Sequence, residues 1–306
     1  MSKKLIIFGG SGFVGGNMAK VAQKKGWKVY IADSFFRPGL NDVEWITVNI
    51  TDKAAVEKVI DEVVPDAVVN VAAIADVDKA EQEKELAWNV NVEGAGNIAK
   101  SCAKHGIKYI FFSSDAVFDG EGSGYTEEDK PKPVNYYGNT KAEAEKAVLE
   151  AHTGAVVVRI SLVIGLPVTG GNSFFGGLEA KLREGSEVLC PVNEVRTPVD
   201  VLTLSESVLE LAENDYTGIL HIGATDSINR FELTKKAAIM MGYDVNLVKL
   251  QSSQDIKPGR APRHINGVIS VKKAQSVLKT EMLSVERGIE RAINTTAKTT
   301  NLSLQK

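Results

Sequence analysis

Residues 4–15, KLIIFGGSGFVG, decide the fold of this chain. The apolar run at 4–8 predicts a short strand, and a helical pattern continues over residues 17–26. Glycines at positions 9, 12 and 15 stand between the two. A glycine turn in this setting lets the backbone approach a pyrophosphate, whose charge meets the helix N-terminus. Alone, such glycines mark only a tight turn. After a strand and before a helix, they predict a dinucleotide-binding turn formed by Gly9, Ser11, Gly12, Phe13, Val14 and Gly15.

Further strand patterns alternate with helical patterns, and this alternation predicts a parallel sheet. They lie at residues 28–32, 44–48, 66–71, 108–112 and 155–160. The run at 66–71 lacks polar and apolar alternation, which suits a strand buried on both faces. The predicted fold class is therefore α/β, a Rossmann-type doubly wound parallel sheet with a smaller C-terminal α/β substrate-binding region.

The chain changes character near Ser161, where segments rich in Gly and Pro begin. We predict a Rossmann NAD(P)-binding domain over residues 1–160 and a mainly substrate-binding region over residues 161–293. Some segments of the second region are expected to return to the Rossmann sheet. Residues 294–306, rich in Thr and Lys, are predicted to form a flexible tail.

The overall composition is that of an ordinary soluble protein, with 306 residues, 43% hydrophobic and 25% charged. The net charge of −3 gives no basic excess for nucleic acid or an anionic membrane, and we find no transmembrane pattern. The two cysteines, Cys102 and Cys190, are far apart with no clustered His, which argues against a disulfide framework or a zinc site. We therefore expect a cytoplasmic protein with no nucleic-acid, membrane or metal partner.

Two residues after the second strand bear on the choice of dinucleotide. Asp33 lies 18 residues beyond Gly15, where an acidic side chain binds the adenosine ribose hydroxyls, and this favours NAD(H). Arg37 follows in the next loop and could instead accommodate the 2′-phosphate of NADP(H), so both cofactors stay open. Ile50 and Asp52 could lie against the adenine, although Asp52 serves equally well as a helix N-cap.

Small and polar residues after the fourth strand extend the predicted cofactor site. Ala72 and Ala73 would let a nucleotide lie close to the backbone. Asn91 lies in a long helical pattern over residues 83–105 and could hold a backbone group or a water in a proton relay, or simply act as a cap or bridge.

The stretch Tyr137-Gly138-Asn139-Thr140-Lys141 carries the predicted chemistry. A helix places residues i and i+4 on one face, so the phenol would lie beside the ammonium of Lys141, which would draw its pKa towards neutrality. Such a spacing also occurs by chance in many helices. Ser114 follows the fifth strand at the edge where ligands bind in open α/β sheets, 23 residues before Tyr137, and could hydrogen-bond the same substrate oxygen.

On the substrate side, Arg260 and Arg263 lie on a Pro-punctuated basic loop and could grip a diphosphate, or be ordinary surface charges. Asp76 and Val77 open either a substrate-side loop or a charged helix start.

The ordered trio of glycine turn, Ser114 and Tyr-x-x-x-Lys resembles the extended short-chain dehydrogenase/reductases over nearly the whole chain, up to about residue 293. Within them, the segments 70–73, 77–81, 113–120, 137–141 and 171–174 resemble the dTDP-4-dehydrorhamnose reductase group, whose members bear an RmlD-like substrate-binding domain. The resemblance implies catalytic roles for Ser114, Tyr137 and Lys141, with Tyr137 as proton donor and Lys141 also as a nicotinamide-ribose ligand. Expected substrate-side residues are Asp76, Val77, Asp115, Leu162, Asn172, Arg196, Arg260 and Arg263.

The implied function is NAD(P)H-dependent reduction of the C4 keto group of a nucleotide-activated 6-deoxy sugar, as in dTDP-rhamnose biosynthesis. Leu162 stands where the group usually carries a Trp that faces the sugar, so the sugar stays open. Ala116 follows Asp115 where 4,6-dehydratases carry Glu, which argues against elimination.

Two other functions remain open: an NAD-dependent nucleotide-sugar epimerase, and a non-catalytic dinucleotide-binding subunit like the regulatory subunit of methionine adenosyltransferase. The oligomeric state also stays open, with a homodimer as the assembly to test.

Overall fold

The first strand of the chain is an interior strand of a seven-stranded sheet, and its residues Leu5, Ile6, Ile7 and Phe8 are all fully buried. The computed structural model describes residues 2–37, 39–169, 171–251 and 259–303, with side chains described as far as residue 294. The strands of this sheet are β1 (Lys4–Phe8), β2 (Lys28–Asp33), β3 (Glu44–Thr47), β4 (Ala67–Asn70), β5 (Lys108–Ser114), β6 (Val156–Ile160) and β11 (Gly218–Ile222). All neighbouring strands are parallel, in the order β11-β6-β5-β4-β1-β2-β3.

Helices cover both faces of this sheet. The α-helices of the described part of the chain, including those of the C-terminal region, are α1 (Phe13–Lys24), α2 (Lys53–Val63), α3 (Val77–Gln82), α4 (Lys84–Trp88), α5 (Ala95–His105), α6 (Tyr136–Ala151), α7 (Phe174–Arg183), α8 (Val201–Leu211), α9 (Arg230–Met240), α10 (Lys272–Val277) and α11 (Val285–Ser303). One apolar core lies between the sheet and α1, α8 and α10, and a second lies between the opposite face and α2, α5 and α6. This is the predicted doubly wound α/β fold.

The C-terminal region builds a third apolar core around α7, α9 and α11. Its short strands are β7 (Val163–Ile164), β8 (Val188–Cys190), β9 (Val195–Arg196), β10 (Val199–Asp200), β12 (Ile228–Asn229), β13 (Val248–Leu250) and β14 (Asn266–Gly267). They form small sheets of two or three strands beside the carboxyl ends of β5 and β6. The region therefore borders the edge of the main sheet where Ser114 ends β5.

One predicted element differs from the one observed. The long helical pattern over residues 83–105 is divided into α4, a π-helical segment Asn89–Gly94 and α5, because the chain widens around the buried side chain of Asn91. Strand β11 from the predicted second region pairs with β6, so the Rossmann sheet draws on chain beyond residue 160. Helix α11 extends through Ser303 and includes most of the predicted tail, whose flexibility stays a prediction.

Candidate active site

The glycine turn after β1 brings three backbone segments into close contact. Gly9 has a φ of +80°, and a methyl group there would lie 2.6 Å from the backbone nitrogen of Ala72. A methyl group at Gly15 would lie 2.6 Å from the carbonyl oxygen of Gly9. Gly12 is the N-cap of α1 and has no side chain to cap the first amides, so those donors remain available to an anion.

Asp33 lies directly beside this turn at the end of β2. Its Oδ2 accepts hydrogen bonds from the backbone nitrogen and the hydroxyl of Ser11, at 3.1 and 2.6 Å. Its Oδ1 accepts from the backbone nitrogen of Ser34 at 2.8 Å. The carboxylate is thus fixed against the glycine turn, and the Arg37 guanidinium lies 4.9 Å from the ring centre of Phe35 in the following loop.

A cavity of about 480 Å³ opens beside the turn. Its lining includes the predicted cofactor residues Gly9, Ser11, Gly12, Asp33, Arg37, Ile50, Ala72 and Ala73. Phe13, Val14 and Gly15 form the first turn of α1 next to it. Glycines, a fixed acidic group and apolar walls are the features that fit a dinucleotide.

Two other predicted cofactor residues have internal partners. Asp52 is exposed and its side chain accepts a hydrogen bond from the backbone of Ala55, so it is the N-cap of α2 rather than part of the cavity lining. Asn91 is buried and bonds both backbone groups of Ile74 as well as the hydroxyl of Thr140. Asn91 therefore joins the loop after β4 to the helix that carries Tyr137.

Helix α6 positions the predicted catalytic pair. Asn135 caps it by accepting from the backbone nitrogen of Gly138, so Tyr137 lies in the first turn and Lys141 one turn later. Gly138 faces the carbonyl of Ala116, and a methyl group at this glycine would overlap that oxygen. The missing side chain thus lets α6 approach the end of β5, where Ser114 lies beside the Tyr137 phenol.

The electrostatics of this pair correct one sequence-based expectation. Burial raises the pKa of Tyr137 to about 12, the Ser114 hydrogen bond opposes this rise, and the charge of Asp115 adds to it. The Lys141 Nζ donates to the Phe112 carbonyl at 2.8 Å and lies 4.8 Å from the Phe111 ring centre. Burial lowers the pKa of Lys141 to about 8, against the charge of Glu145. The expected lowering of the phenol pKa is wrong for this structure, because burial is the largest cause of the shift and raises the pKa.

A second buried network surrounds Asp115. Ser114 donates to its Oδ1 at 3.0 Å and Ser161 donates to its Oδ2 at 2.8 Å. The Arg196 Nε and the His264 Nε2 lie 3.4 and 3.2 Å from Oδ2. Burial pushes the pKa of Asp115 upward, but His264, Arg196 and the Ser161 hydrogen bond outweigh it, so the pKa lies below its usual range.

A buried ion pair supports Lys141 from the other side. Arg159 binds Glu145 through two hydrogen bonds of 2.9 and 2.7 Å, and Ser113 donates to the same carboxylate. Glu145 follows Lys141 by one helical turn. The sequence analysis singled out neither residue as functional. The i+4 spacing of Glu145 from Lys141 and the position of Arg159 on the sixth predicted strand were both visible in the sequence.

A cavity of about 630 Å³ lies in the C-terminal region. Its wall carries the cations Lys181, Arg230 and Arg260 together with the ring of Phe174 and the carboxylate of Glu194. The Arg230 guanidinium lies 3.9 Å from the Phe174 ring centre, and burial lowers its pKa. Arg260 is the predicted substrate residue that lines this cavity, and Arg230 is one that the sequence analysis missed.

The remaining predicted substrate residues have other positions. Asp76 is the N-cap of α3, which begins at Val77. Arg263 pairs with Asp78 at 3.0 Å instead of facing the cavity. Leu162 packs against the C-terminal core and Asn172 is exposed just before the capping residue of α7.

Thr169 makes a contact that no sequence pattern indicated. Its hydroxyl lies 2.9 and 3.3 Å from the carbonyl oxygens of Ser11 and Gly12, so the C-terminal region touches the glycine turn directly. Within the described ranges, no group of three or more His, Cys, Asp or Glu could hold a metal ion. Likewise, none of the described helices is long and apolar enough to cross a membrane.

Comparisons with known proteins agree with this geometry. The family model described as the RmlD substrate binding domain matches residues 3–298. The dTDP-4-dehydrorhamnose reductase of Mycobacterium tuberculosis (strain ATCC 25618 / H37Rv) is 31% identical over 277 residues, which are 88% of this chain and 85% of that protein. The crystal structure of dTDP-4-dehydrorhamnose reductase from Bacillus anthracis in complex with NADP has a TM-score of 0.87 at 27% identity, covering 96% of this chain and all of that one.

A second kind of relative matches a shorter segment. Methionine adenosyltransferase 2 subunit beta of Rattus norvegicus is 39% identical over 164 residues. The match covers 54% of this chain and 48% of that subunit, so it spans about half the length of each protein.

Proposed function

The chain belongs to the RmlD substrate binding domain family, and from that membership we propose that it reduces the keto group of a nucleotide-activated 4-keto-6-deoxy sugar with NADH or NADPH. The observation that carries the proposal is the placement of Ser114 beside Tyr137 at the carboxyl end of β5, with Lys141 one turn along α6. The relatives named as dTDP-4-dehydrorhamnose reductases support the same reaction class.

The residues of the chain have distinct tasks in this reaction. The dinucleotide, when bound, supplies the hydride. Tyr137 gives a proton to the substrate oxygen, and a phenol whose pKa is about 12 carries that proton at neutral pH. Ser114 holds the phenol in place and lies next to the same oxygen. Lys141 follows the phenol by one turn, and its charge offsets the negative charge that remains on the phenol after proton transfer.

The C-terminal cavity supports a nucleotide diphosphate as the activating group. Arg230 and Arg260 offer planar donors that match phosphate oxygens, and Lys181 adds a third positive charge. The Phe174 ring offers a flat apolar surface beside them. We leave the base and the sugar to experiment, because Leu162 gives no aromatic face for a sugar.

For the cofactor, we propose NAD(H) as the preferred dinucleotide on the strength of Asp33. A carboxylate fixed by Ser11 and Ser34 suits the two ribose hydroxyls and repels a 2′-phosphate. Arg37 on the same cavity wall would favour NADP(H), and the Bacillus anthracis relative was crystallised with NADP. Asp33→Ala should therefore raise the KM for NADH more than that for NADPH.

The test is NADH and NADPH oxidation against a panel of dTDP-, UDP- and GDP-4-keto-6-deoxy sugars, with Tyr137→Phe as the matched variant. We expect turnover with one sugar and a loss of about 10²- to 10⁴-fold in Tyr137→Phe. Full activity of that variant, with cofactor binding intact, would contradict the assignment. Turnover without net oxidation of the cofactor would favour the epimerase.

A non-catalytic dinucleotide-binding subunit is the second candidate, because the subunit beta relative shares 39% identity over 164 residues. Stable association with a partner enzyme, together with no turnover across the whole sugar panel, would identify the protein as such a subunit. The same experiments should include size-exclusion chromatography with light scattering, since a homodimer is the assembly that we expect. We also expect the protein in the cytoplasm, where the buried thiols of Cys102 and Cys190 would stay reduced.

A further inference from the structure

Arg196 was expected to bind substrate, but its guanidinium is already occupied within the fold. Nη1 donates to the carbonyls of Val195 and Ile265 at 2.8 and 3.0 Å, and Nη2 donates to the carbonyl of His264 at 3.0 Å. Nε lies 3.4 Å from the Asp115 carboxylate, and only 12% of the side chain is exposed. Arg260 differs, because it lines the large cavity, is 31% exposed and has a single ion-pair partner at 3.5 Å among the described residues.

The partner of Arg196 lies next to the reacting groups. Asp115 accepts a hydrogen bond from the Ser114 hydroxyl, and Ser114 lies beside the Tyr137 phenol. Asp115 is therefore a negative charge close to the position where reduction of a ketone would create negative charge on oxygen. Two groups from the C-terminal region, Arg196 and His264, lie within 3.4 Å of the carboxylate oxygen that faces away from Ser114.

The backbone around this cluster leaves no room for other side chains. Gly267 faces the Asp115 carboxylate so closely that a methyl group there would overlap Oδ2, and such a methyl would also lie 2.7 Å from the His264 ring nitrogen. Ser161 fills the remaining direction with its hydrogen bond to Oδ2. The cluster thus joins the end of β5, the segment after β6, β9 and the segment before β14.

From this arrangement we propose that Arg196 and His264 are positioning residues that hold and neutralise Asp115, so that Ser114 stays oriented towards Tyr137, and that Arg196 does not bind the diphosphate. The proposal rests on the reductase function proposed above. Without Arg196, the buried carboxylate would repel the charge that develops on the substrate oxygen, and the proton transfer would slow. The diphosphate is left to Arg230 and Arg260.

The sign of the pH dependence follows from the groups that face Asp115. Those with a charge or a titratable proton are Arg196 on β9, His264 before β14 and Tyr137 on α6. Removal of Arg196 takes away a cation that lowers the pKa of Asp115, so the carboxylate would take up a proton at a higher pH than in the unaltered protein. Protonation of Asp115 would then remove the unpaired negative charge, and the activity of an Arg196 variant relative to the unaltered enzyme should rise as the pH falls.

The experiment compares Arg196→Met with Arg260→Met as the matched control. At pH 8, Arg196→Met should lower kcat about tenfold, with the KM for the nucleotide sugar within about twofold, whereas Arg260→Met should chiefly raise KM. The deficit of Arg196→Met should shrink between pH 8 and pH 5.5. Adding Asp115→Asn to Arg196→Met should restore kcat several-fold at pH 8 and abolish that pH dependence, because the repelling charge is gone.

The opposite result would overturn the proposal: a raised KM with unchanged kcat in Arg196→Met, or a loss that neither pH nor Asp115→Asn relieves. If Arg196→Met does not fold, His264→Gln removes the other partner and should lower kcat several-fold, and unchanged kcat in that variant overturns the proposal as well. The claim that Arg196 does not bind the diphosphate is tested without turnover by calorimetric titration of dTDP, UDP and GDP into the variants. Arg260→Met should weaken nucleotide binding, and Arg196→Met should not. Absence of turnover in the unaltered protein would refute the proposed function, a result distinct from these.

Discussion

The buried pair of Arg159 and Glu145 gives the sharpest stability prediction. Both side chains are almost fully enclosed, at 1% and 4% exposure, and two hydrogen bonds of 2.9 and 2.7 Å join them. Arg159→Met leaves the Glu145 carboxylate buried without its main partner. Loss of one member of a buried ion pair costs about 3–5 kcal/mol, so we expect the free energy of unfolding to fall by that amount. Urea unfolding, followed by tryptophan fluorescence and circular dichroism, measures it.

Two controls separate burial from charge pairing as such. Arg287 and Glu281 form an equally bidentate pair at 2.6 and 3.1 Å, but both are more than half exposed. Arg287→Met should leave the free energy of unfolding nearly unchanged, because water solvates the remaining carboxylate. The neutral double variant Glu145→Gln with Arg159→Met should recover at least half of the loss of Arg159→Met. A loss below about 1 kcal/mol in Arg159→Met would refute the reasoning.

Three further predictions concern the site. Lys141→Met should stabilise the protein at pH 7 by roughly 3 kcal/mol, because burial lowers the pKa of Lys141 from 10.5 to about 8 and each pKa unit corresponds to about 1.36 kcal/mol. The unfolded chain binds more protons between these two values, so stability of the unaltered protein should rise from pH 8 to pH 10.5, and urea unfolding of Lys141→Met should show no such rise. Gly138→Ala should cost about 1–3 kcal/mol in thermal unfolding and reduce kcat, since its methyl group displaces α6 from the Ala116 carbonyl. Ser11→Ala should weaken NADH binding about tenfold in fluorescence titration by releasing Asp33 from its 2.6 Å bond, and unchanged affinity would contradict the assigned role.

The sequence predicted those parts of the molecule that depend on local spacing. The glycine turn, the strand that ends at Ser114 and the i, i+4 pair of Tyr137 and Lys141 each lie within one short segment, so their geometry follows from a strand or a helix. The lowering of the phenol pKa was wrong because it considered the nearest charge and omitted burial, which is a property of the packed fold. Asp52 was weighed as a cap, and that alternative agrees with its hydrogen bond to Ala55.

Contacts between distant segments could not be predicted in this way. Asp115, Ser161, Arg196 and His264 come from four separate parts of the chain, and no spacing indicates that they meet. The π-helical segment at Asn91 was also missed, because the helical pattern continues through it and only the tertiary bonds to Ile74 and Thr140 show why the helix widens. Arg230 was overlooked because a single Arg at a helix start carries no signal until the cavity exists.

Two buried charge clusters border the Tyr137 and Lys141 pair, and they bear on the protonation state of the phenol. Glu145 is paired with Arg159 on the side of Lys141, and Asp115 is paired with Arg196 and His264 on the side of Ser114. Burial is the largest cause of the raised phenol pKa, and the charge of Asp115 adds to it. A phenol held neutral in this way has a proton to give and is a poor base. The neutral phenol therefore carries the proton that reduction of a ketone consumes, while the substrates and the cofactor determine the net direction of the reaction.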